Sequence, residues 1–155
     1  MAGNLASVHG EAERAEALWS RVDGNCQRIV PVGEGVTELR PTWFSGPAVE
    51  RLDAGSLFFR RNARVWQALF VTEPGEYRLT VRGQCKGPEP ALMRVRVHAS
   101  DDLLEFGSDP TERSETISLV PGLNVLIADF VNDSVSELGD RNLEILEIRV
   151  ERLSS

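Results

Sequence analysis

The sequence predicts an all-β fold, a single antiparallel β-sandwich of jelly-roll type. The chain has 155 residues, of which 41% are hydrophobic and 26% are charged, a composition that suits one globular domain with its own core. From Ala48 onward, short apolar segments are separated by turns such as Pro74-Gly75 and Pro121-Gly122. No segment between them has helical length and periodicity, which argues against a parallel α/β sheet. We assign residues 1–155 to one domain, with a core over about 11–153 and a flexible N-terminal segment over 1–10.

The predicted strands follow in chain order. Ser56–Phe59 is the first, and its neighbours Phe58 and Phe59 must face opposite sides of a regular strand. Arg64–Val71 combines alternation with full burial, and we place Trp66 in the core. In Tyr77–Val81 apolar residues alternate with Arg and Thr, so one face is buried and one is in water. The remaining predicted strands are Ala91–His98, Thr116–Val120, Leu123–Val131 and Leu143–Leu153.

The first third of the chain has a different pattern. Glu11–Val22 is rich in helix formers, and four of its residues fall on one helical face: Ala12, Ala15, Trp19 and Val22. Local sequence therefore predicts a helix there. Val32–Gly46 contains several Gly and Pro residues, and we expect it to be a long loop that ends in Trp43-Phe44.

Charge and motifs exclude several functions. Twenty-four acidic against seventeen basic residues give a net charge of −7, which argues against nonspecific binding of nucleic acid or of an anionic membrane. No apolar run approaches the ~20 residues of a membrane span, and residues 1–18 lack the features of a signal peptide. No catalytic motif is present, and the two histidines, His9 and His98, are far apart in sequence. We expect a protein that is not an enzyme.

Cys26 and Cys85 are the two cysteines, each in a glycine-flanked loop. They would form one disulfide in an exported protein, or remain two unrelated thiols inside a cell. Their spacing matches no metal or redox motif.

The segment between the last two predicted strands is rich in oxygen donors. Five such side chains occur within eleven residues: Asn132, Asp133, Glu137, Asp140 and Asn142. A loop that gathers hard oxygen donors between two fixed strands is what a calcium site requires. The alternative is that Asp140 and Asn142 only cap turns, with Arg141 and Asp133 forming a surface ion pair.

Trp43 and Phe44 are the candidate ligand-binding aromatics. Aromatic residues make up only 6% of the chain, and this pair lies in a polar loop where a ring face would be open to a sugar. The alternative is that the pair closes the core.

Three segments together resemble a known family. They are Glu11-Ala12-Glu13, the turn and strand from Pro74-Gly75-Glu76-Tyr77 to Val81, and the stretch from Phe130-Val131-Asn132-Asp133 through Asp140-Arg141-Asn142-Leu143. In this order they resemble the β-sandwich carbohydrate-binding modules, most closely the calcium-dependent xylan-binding type. The resemblance spans Glu11 to Leu153.

The resemblance implies two calcium positions. In such modules the opening Glu residues, here Glu11 and Glu13, lie in an edge strand and bind a structural calcium with an Asp of the last strand. That edge strand would replace the predicted helix, and the matching last-strand position here is Leu146. A second calcium is bridged by sugar hydroxyls, and the residues that match its loop are Asp133, Asp140 and Glu137.

Two functions follow as expectations. The first is a noncatalytic carbohydrate-binding-module-like domain that binds polysaccharide through calcium, which would place the protein outside the cell or in the periplasm. The second is a degenerate β-sandwich that serves as a noncatalytic protein-interaction subunit of a larger assembly. Leu146, a 134–139 loop without Trp or Tyr, and the missing signal peptide favour the second. A hydrolase that uses paired carboxylates is a distant third.

Overall fold

The computed structural model describes residues 28–87, 89–133, 135–136 and 139–153. The strands in these ranges, in chain order, are β1 (Ile29–Val32), β2 (Val36–Glu38), β3 (Glu50–Arg51), β4 (Leu57–Phe59), β5 (Ala63–Val71), β6 (Gly75–Lys86), β7 (Ala91–Val97), β8 (Ser100–Phe106), β9 (Thr111–Leu119), β10 (Gly122–Phe130), β11 (Val135–Ser136), β12 (Gly139–Asp140) and β13 (Asn142–Arg152). A single 3-10 turn covers Pro41–Trp43.

These strands form two large sheets. Sheet A has the order β1-β5-β10-β7-β8, in which β1 is parallel to β5 and all other neighbours are antiparallel. Sheet B has the order β3-β4-β13-β6-β9, and β2 also pairs with β13. Consecutive strands repeatedly change sheets, as in a jelly roll. The predicted β-sandwich is confirmed.

The core lies between the sheets and follows from the period of two along each strand. β7 alternates buried and partly exposed residues along its whole length. The long strands β6 and β13 contribute inward residues such as Tyr77 and Val150, both 0% exposed. Phe59 of sheet B meets Phe130 of sheet A edge to face, with ring centroids 6.2 Å apart. One buried cluster therefore joins both sheets.

Several local predictions needed correction. Val32–Gly46 is not one long loop, because β2 and the 3-10 turn lie within it. Strand β8 was missed, since its acidic start hides the inward pair Leu104 and Phe106. Phe58 and Phe59 do face opposite sides: Phe59 is buried and Phe58 is partly exposed. Trp66 is not in the core, because its outward position on β5 leaves it partly exposed.

The predictions for Glu11–Val22, for residues 1–10 and for Cys26 lie outside the described residues. Within the described part of the chain, no helix is long and apolar enough to cross a membrane.

Candidate functional site

The oxygen-rich segment connects the end of β10 to the beginning of β13, and both points lie at the same end of the sandwich. β10 leaves sheet A at Phe130, which is 1% exposed, and β13 enters sheet B just before Leu143, which is 0% exposed. Between them β11 and β12 pair as a short antiparallel ribbon, with Val135 opposite Asp140. The buried strand ends therefore fix where the intervening loop begins and returns.

Asn132 fastens this loop to β7. Its Oδ1 accepts a hydrogen bond from the Leu92 amide at 2.7 Å, and its Nδ2 donates to the Pro90 carbonyl at 3.1 Å. Both ends of the side-chain amide are thus engaged with backbone. This is the capping role that Asn commonly has at a turn, and it leaves Asn132 as a positioning residue beside Asp133.

Asp133 and Asn142 each hold a buried oxygen that has no partner. The Asp133 amide donates to Asn62 Oδ1 at 2.7 Å, whereas Asp133 Oδ1 accepts no hydrogen bond. Asn142 Oδ1, at the start of β13, is equally unpartnered. Buried polar atoms normally find a partner in the protein, in water or in an ion. These two oxygens therefore lack the partner that a protein group, a water molecule or an ion normally supplies.

Arg141 brings a positive charge to the same loop. Its guanidinium donates to the Asn132 carbonyl and forms an ion pair with Glu89, and its side chain is 12% exposed. The partner of Arg141 is thus Glu89, and the expected ion pair with Asp133 is not formed. Arg141 Nε is buried without a partner. The Glu89 carboxylate offsets the charge of Arg141.

Cys85 lies under this loop as a buried free thiol. Its Sγ donates to the Glu89 carbonyl at 3.1 Å. Burial raises the pKa of the Cys85 thiol, and the positive charge of Arg141 opposes that shift only in part. A buried, protonated thiol is a poor nucleophile and a poor metal ligand.

The other predicted metal ligands remain predictions. The backbone of Asp140 is in β12, but its side chain lies outside the described residues, as do Glu137, Glu11 and Glu13. Among the residues that the structure describes, no group of three or more His, Cys, Asp or Glu side chains is placed to hold a metal ion.

Of the structural calcium position that the resemblance implies, the structure describes only the last-strand residue, Leu146. Leu146 lies where the β13–β6 register shifts, between Ile145 and Glu147. β2 also pairs with β13, and its Glu38 lies opposite Arg149. Arg149 forms ion pairs with Glu112 and Glu147.

The aromatic pair lies elsewhere, beside the edge of β5. Phe44 is 1% exposed, so its ring has no free face, and the prediction that Phe44 stacks on a sugar needs correction: it is a core residue. Trp43 is partly buried, with the guanidinium carbons of Arg28 and Arg40 at 4.3 and 5.3 Å from its ring centroid. These cations take the place on the ring that a sugar would need.

Two residues of this site escaped sequence reasoning. Asn62 and Glu89 come from the loops before β5 and β7, far from Asp133 in sequence. Their only sequence signal is a polar residue next to a predicted strand, which is too common to single them out.

No protein-family model and no curated protein matches this sequence. Solved structures do match. The first is a family 36 carbohydrate-binding module of a multidomain xylanase from the hindgut metagenome of Trinervitermes trinervoides, with a TM-score of 0.60 and 14% identity over 79% of this chain and 100% of that chain. A family 35 carbohydrate-binding module from Clostridium thermocellum has a TM-score of 0.59 and 16% identity over 74% of this chain and 96% of its own.

A third structure is a family 36 carbohydrate-binding module in complex with calcium and xylotriose, with a TM-score of 0.58 and 14% identity over 75% of this chain and 97% of that chain. At these identities the likeness concerns the fold. All three structures are matched along almost their full length, so the likeness covers a complete module. The chain therefore has the β-sandwich fold of the carbohydrate-binding modules, including the xylan-binding type of family 36.

Proposed function

We propose that this protein is a noncatalytic domain that binds polysaccharide through a calcium ion at the end of the sandwich where β10 and β13 are joined. The observation that carries the proposal is the pair of buried, unpartnered oxygens, Asp133 Oδ1 and Asn142 Oδ1. They lie in the segment whose sequence resembles the sugar-contacting calcium loop of the xylan-binding modules, and the chain shares the fold of such a module.

The chemistry of these donors suits calcium. Ca²⁺ prefers carboxylate and amide oxygens and tolerates irregular geometry. Asp133 and Asn142 would hold it, and the predicted ligands Asp140 and Glu137 belong to the same loop. A bound calcium would supply a positive centre that attracts adjacent sugar hydroxyls. Asn132, Asn62 and Arg141 would keep the loop in position.

Binding without catalysis is the chemistry that the described residues support best. The Cys85 thiol is buried and protonated, and the solved structures that match along most of this chain include modules named for carbohydrate binding. A domain with this function would act where polysaccharide occurs, outside the cell or in the periplasm.

Calorimetric titration of chelator-treated protein with CaCl₂, together with thermal melts, tests the calcium site. We expect the wild type to bind and its melting temperature to rise, because a ligand of the folded state stabilises that state. Asp133→Ala should lose both effects. Asp53→Ala, which removes an exposed carboxylate in the turn before β4, is the matched control and should keep them. No heat and no melting shift in the wild type would contradict the proposal.

Affinity electrophoresis in gels that contain xylan tests the sugar. Calcium-loaded wild type should be retarded, and either chelator or Asp133→Ala should abolish the retardation. Trp43→Ala decides whether the predicted stacking residue contributes: its two arginine neighbours favour unchanged retardation, whereas weaker retardation would restore Trp43 as a sugar contact.

The second candidate function is a noncatalytic protein-interaction subunit. The observation that favours it is apolar surface on sheet A, where Leu103, Leu123 and Val131 are 58%, 38% and 39% exposed. Such a subunit would show no retardation in any polysaccharide gel and would keep its partner in the presence of chelator.

A further inference from the structure

We propose that the chain before β1 packs on the outward surface of sheet A as an amphipathic helix over Glu11–Val22. The part of that surface concerned, called the outer face here, consists of six side chains of β5 and β10: Trp66, Ala68, Phe70, Leu123, Val125 and Ile127. The proposal uses no residue of the calcium loop, so its test is separate from that of the proposed function.

Two residues of the outer face are buried although they point away from the core. Along β5 the core cluster includes Val65, Leu69 and Val71, whereas Ala68 and Phe70 lie on the other side of the strand and do not belong to it. Yet Ala68 is 0% exposed and Phe70 is 7% exposed. Side chains of a strand stand roughly perpendicular to the sheet, so a phenylalanine ring on its outer side is buried only when something lies over it.

The described neighbours of Phe70 within the sheet do not bury its ring. Register places Pro31 of β1 on one side of Phe70 and Leu123 of β10 on the other, and both are themselves exposed. Thr72, two residues further along the chain, is exposed as well. The described strands all belong to the two sheets or to the short β11–β12 ribbon. The ring is therefore covered by a segment that is not one of these strands.

The chain enters sheet A directly beside the outer face. β1 runs parallel to β5, and its first residue, Ile29, pairs with Ala68. Just before that point the edge of β5 is already occupied, because Ser45 and Trp66 exchange two backbone hydrogen bonds. The chain that leads to Ile29 therefore cannot run as a strand along this part of β5. The inward side is filled by the core cluster, which leaves the outer face as the surface that this segment can contact.

The sequence over 11–22 has the pattern of a helix with one buried side. Its apolar residues form a single stripe at intervals of three and four positions, whereas most of its charged residues lie outside that stripe. The stripe consists of Ala12, Ala15, Leu18, Trp19 and Val22. A helix of twelve residues is about 18 Å long, and the five strand residues from Trp66 to Phe70 span about 16 Å. The lengths of the helix and of the outer face therefore match.

The ends of the segment also favour a helix. Glu11 and Glu13 lie in its first turn and Arg21 in its last, where acidic and basic side chains respectively complement the helix dipole. Gly24 follows the last turn, at a position where glycine commonly ends a helix. In this arrangement Glu11 and Glu13 are not in an edge strand, so they do not bind the structural calcium that the resemblance implies. The centre of the outer face is likewise closed to polysaccharide, which leaves the ends of the sandwich for binding.

NMR spectroscopy of the full wild-type chain tests the proposal directly. We expect helical Cα chemical shifts over 11–22 and nuclear Overhauser contacts between the side chains of Leu18 or Trp19 and the methyl groups of Val125 or Ile127. Extended chemical shifts over 11–22 would overturn the proposal and favour the edge strand. A helix without contacts to the outer face would overturn it as well.

Thermal melts provide a second test with a matched control. Trp19→Glu places a charge on the buried stripe and should lower the melting temperature by at least about 5 °C. Ser20→Glu adds the same charge one position further, on the polar side of the helix, and should melt like the wild type. Trp19→Ala is a milder change that keeps the test valid if Trp19→Glu does not fold, and it should also lower the melting temperature. If the Trp19 variants melted at the same temperature as Ser20→Glu, the proposal would be overturned.

Discussion

At the scale of single residues, Tyr77 illustrates how burial couples ionisation to stability. It is the only tyrosine in the chain and is 0% exposed, and its hydroxyl donates to the Glu73 carbonyl at 2.6 Å. Tyr77 lies on β6 and its acceptor Glu73 lies in the turn before that strand, so this hydrogen bond closes the loop between β5 and β6. Burial raises the pKa of Tyr77, and the nearby Arg152 opposes the shift.

We predict that the free energy of unfolding falls as the pH rises above about 10. The unfolded chain then loses its phenolic proton near the ordinary pKa of tyrosine, whereas the folded chain still retains it, so alkali favours unfolding. Phenolate absorbance during a pH titration reports Tyr77 alone, and denaturant melts at each pH report stability. Tyr77→Phe should lose about 1 kcal/mol at neutral pH and show a shallower alkaline decline. The buried Cys85 thiol, whose pKa is also raised by burial, contributes to the decline that remains. If the free energy of unfolding of Tyr77→Phe fell with rising pH as steeply as that of the wild type, this prediction would be wrong.

Residue-scale reasoning about the site succeeded only in part. The oxygen-rich segment does connect two buried strands, as predicted, but its described residues include the short ribbon of β11 and β12 in addition to loop. The partners that give Asp133 and Arg141 their surroundings, Asn62 and Glu89, come from other loops. Residue spacing in the sequence does not predict contacts of that kind, because they depend on which strands become neighbours in the fold.

At the scale of elements, backbone hydrogen bonds hold the segment Phe44–Gly46 against the edge of β5. Ser45 and Trp66 exchange two hydrogen bonds, at 2.9 and 3.0 Å. Gly46 has φ +155°, and a Cβ there would lie 2.6 Å from the Arg64 carbonyl oxygen and 2.8 Å from a Val65 methyl carbon. Only glycine lets the loop approach β5 this closely.

We therefore predict that Gly46→Ala destabilises the protein by about 1–3 kcal/mol, through strain and through loss of the Ser45–Trp66 bridge. Gly33→Ala is the matched control, since its Cβ would meet nothing within 4 Å, and it should be close to neutral. Urea melts measure both variants, and Trp fluorescence should change only for Gly46→Ala. Equal stability of the two variants would show that the close approach of Gly46 to β5 does not contribute to the free energy of unfolding.

The predicted strands agree with the structure where apolar and polar residues clearly alternate, and they are incomplete where polar residues hide that alternation. Arg64–Val71, Ala91–His98, Leu123–Val131 and Leu143–Leu153 each match an observed strand to within two residues at each end. Thr116–Val120 covers only the second half of β9, since the first half, Thr111–Glu115, is entirely polar and gives no alternation of apolar and polar residues. The core position predicted for Trp66 follows from its place within a strand, but its parity on β5 turns it outward.

At the scale of the whole molecule, β13 is the strand on which the sandwich depends most. It pairs with β6 on one side and with both β4 and β2 on the other. Its inward side chains are almost completely buried: Leu143, Ile145, Ile148 and Val150. The last strand in sequence is thus central in space, and a shared core joins it to sheet A.

This arrangement predicts that the two sheets unfold together. Ile148→Asp buries a charge on the inward face of sheet B and should cost more than about 4 kcal/mol, a large part of the stability of a domain this size. Trp66 belongs to sheet A and becomes the single tryptophan when Trp19 and Trp43 are changed to Phe. In that background we expect its fluorescence to change in step with the far-UV circular dichroism of the whole chain, because neither sheet has a second surface on which to bury its inward side chains. Glu151→Ala, at an exposed position of the same strand, should leave both signals unchanged. If Trp66 fluorescence stayed native in Ile148→Asp while the strand signal fell, sheet A would be stable without sheet B, and the single shared core would not be what holds this fold together.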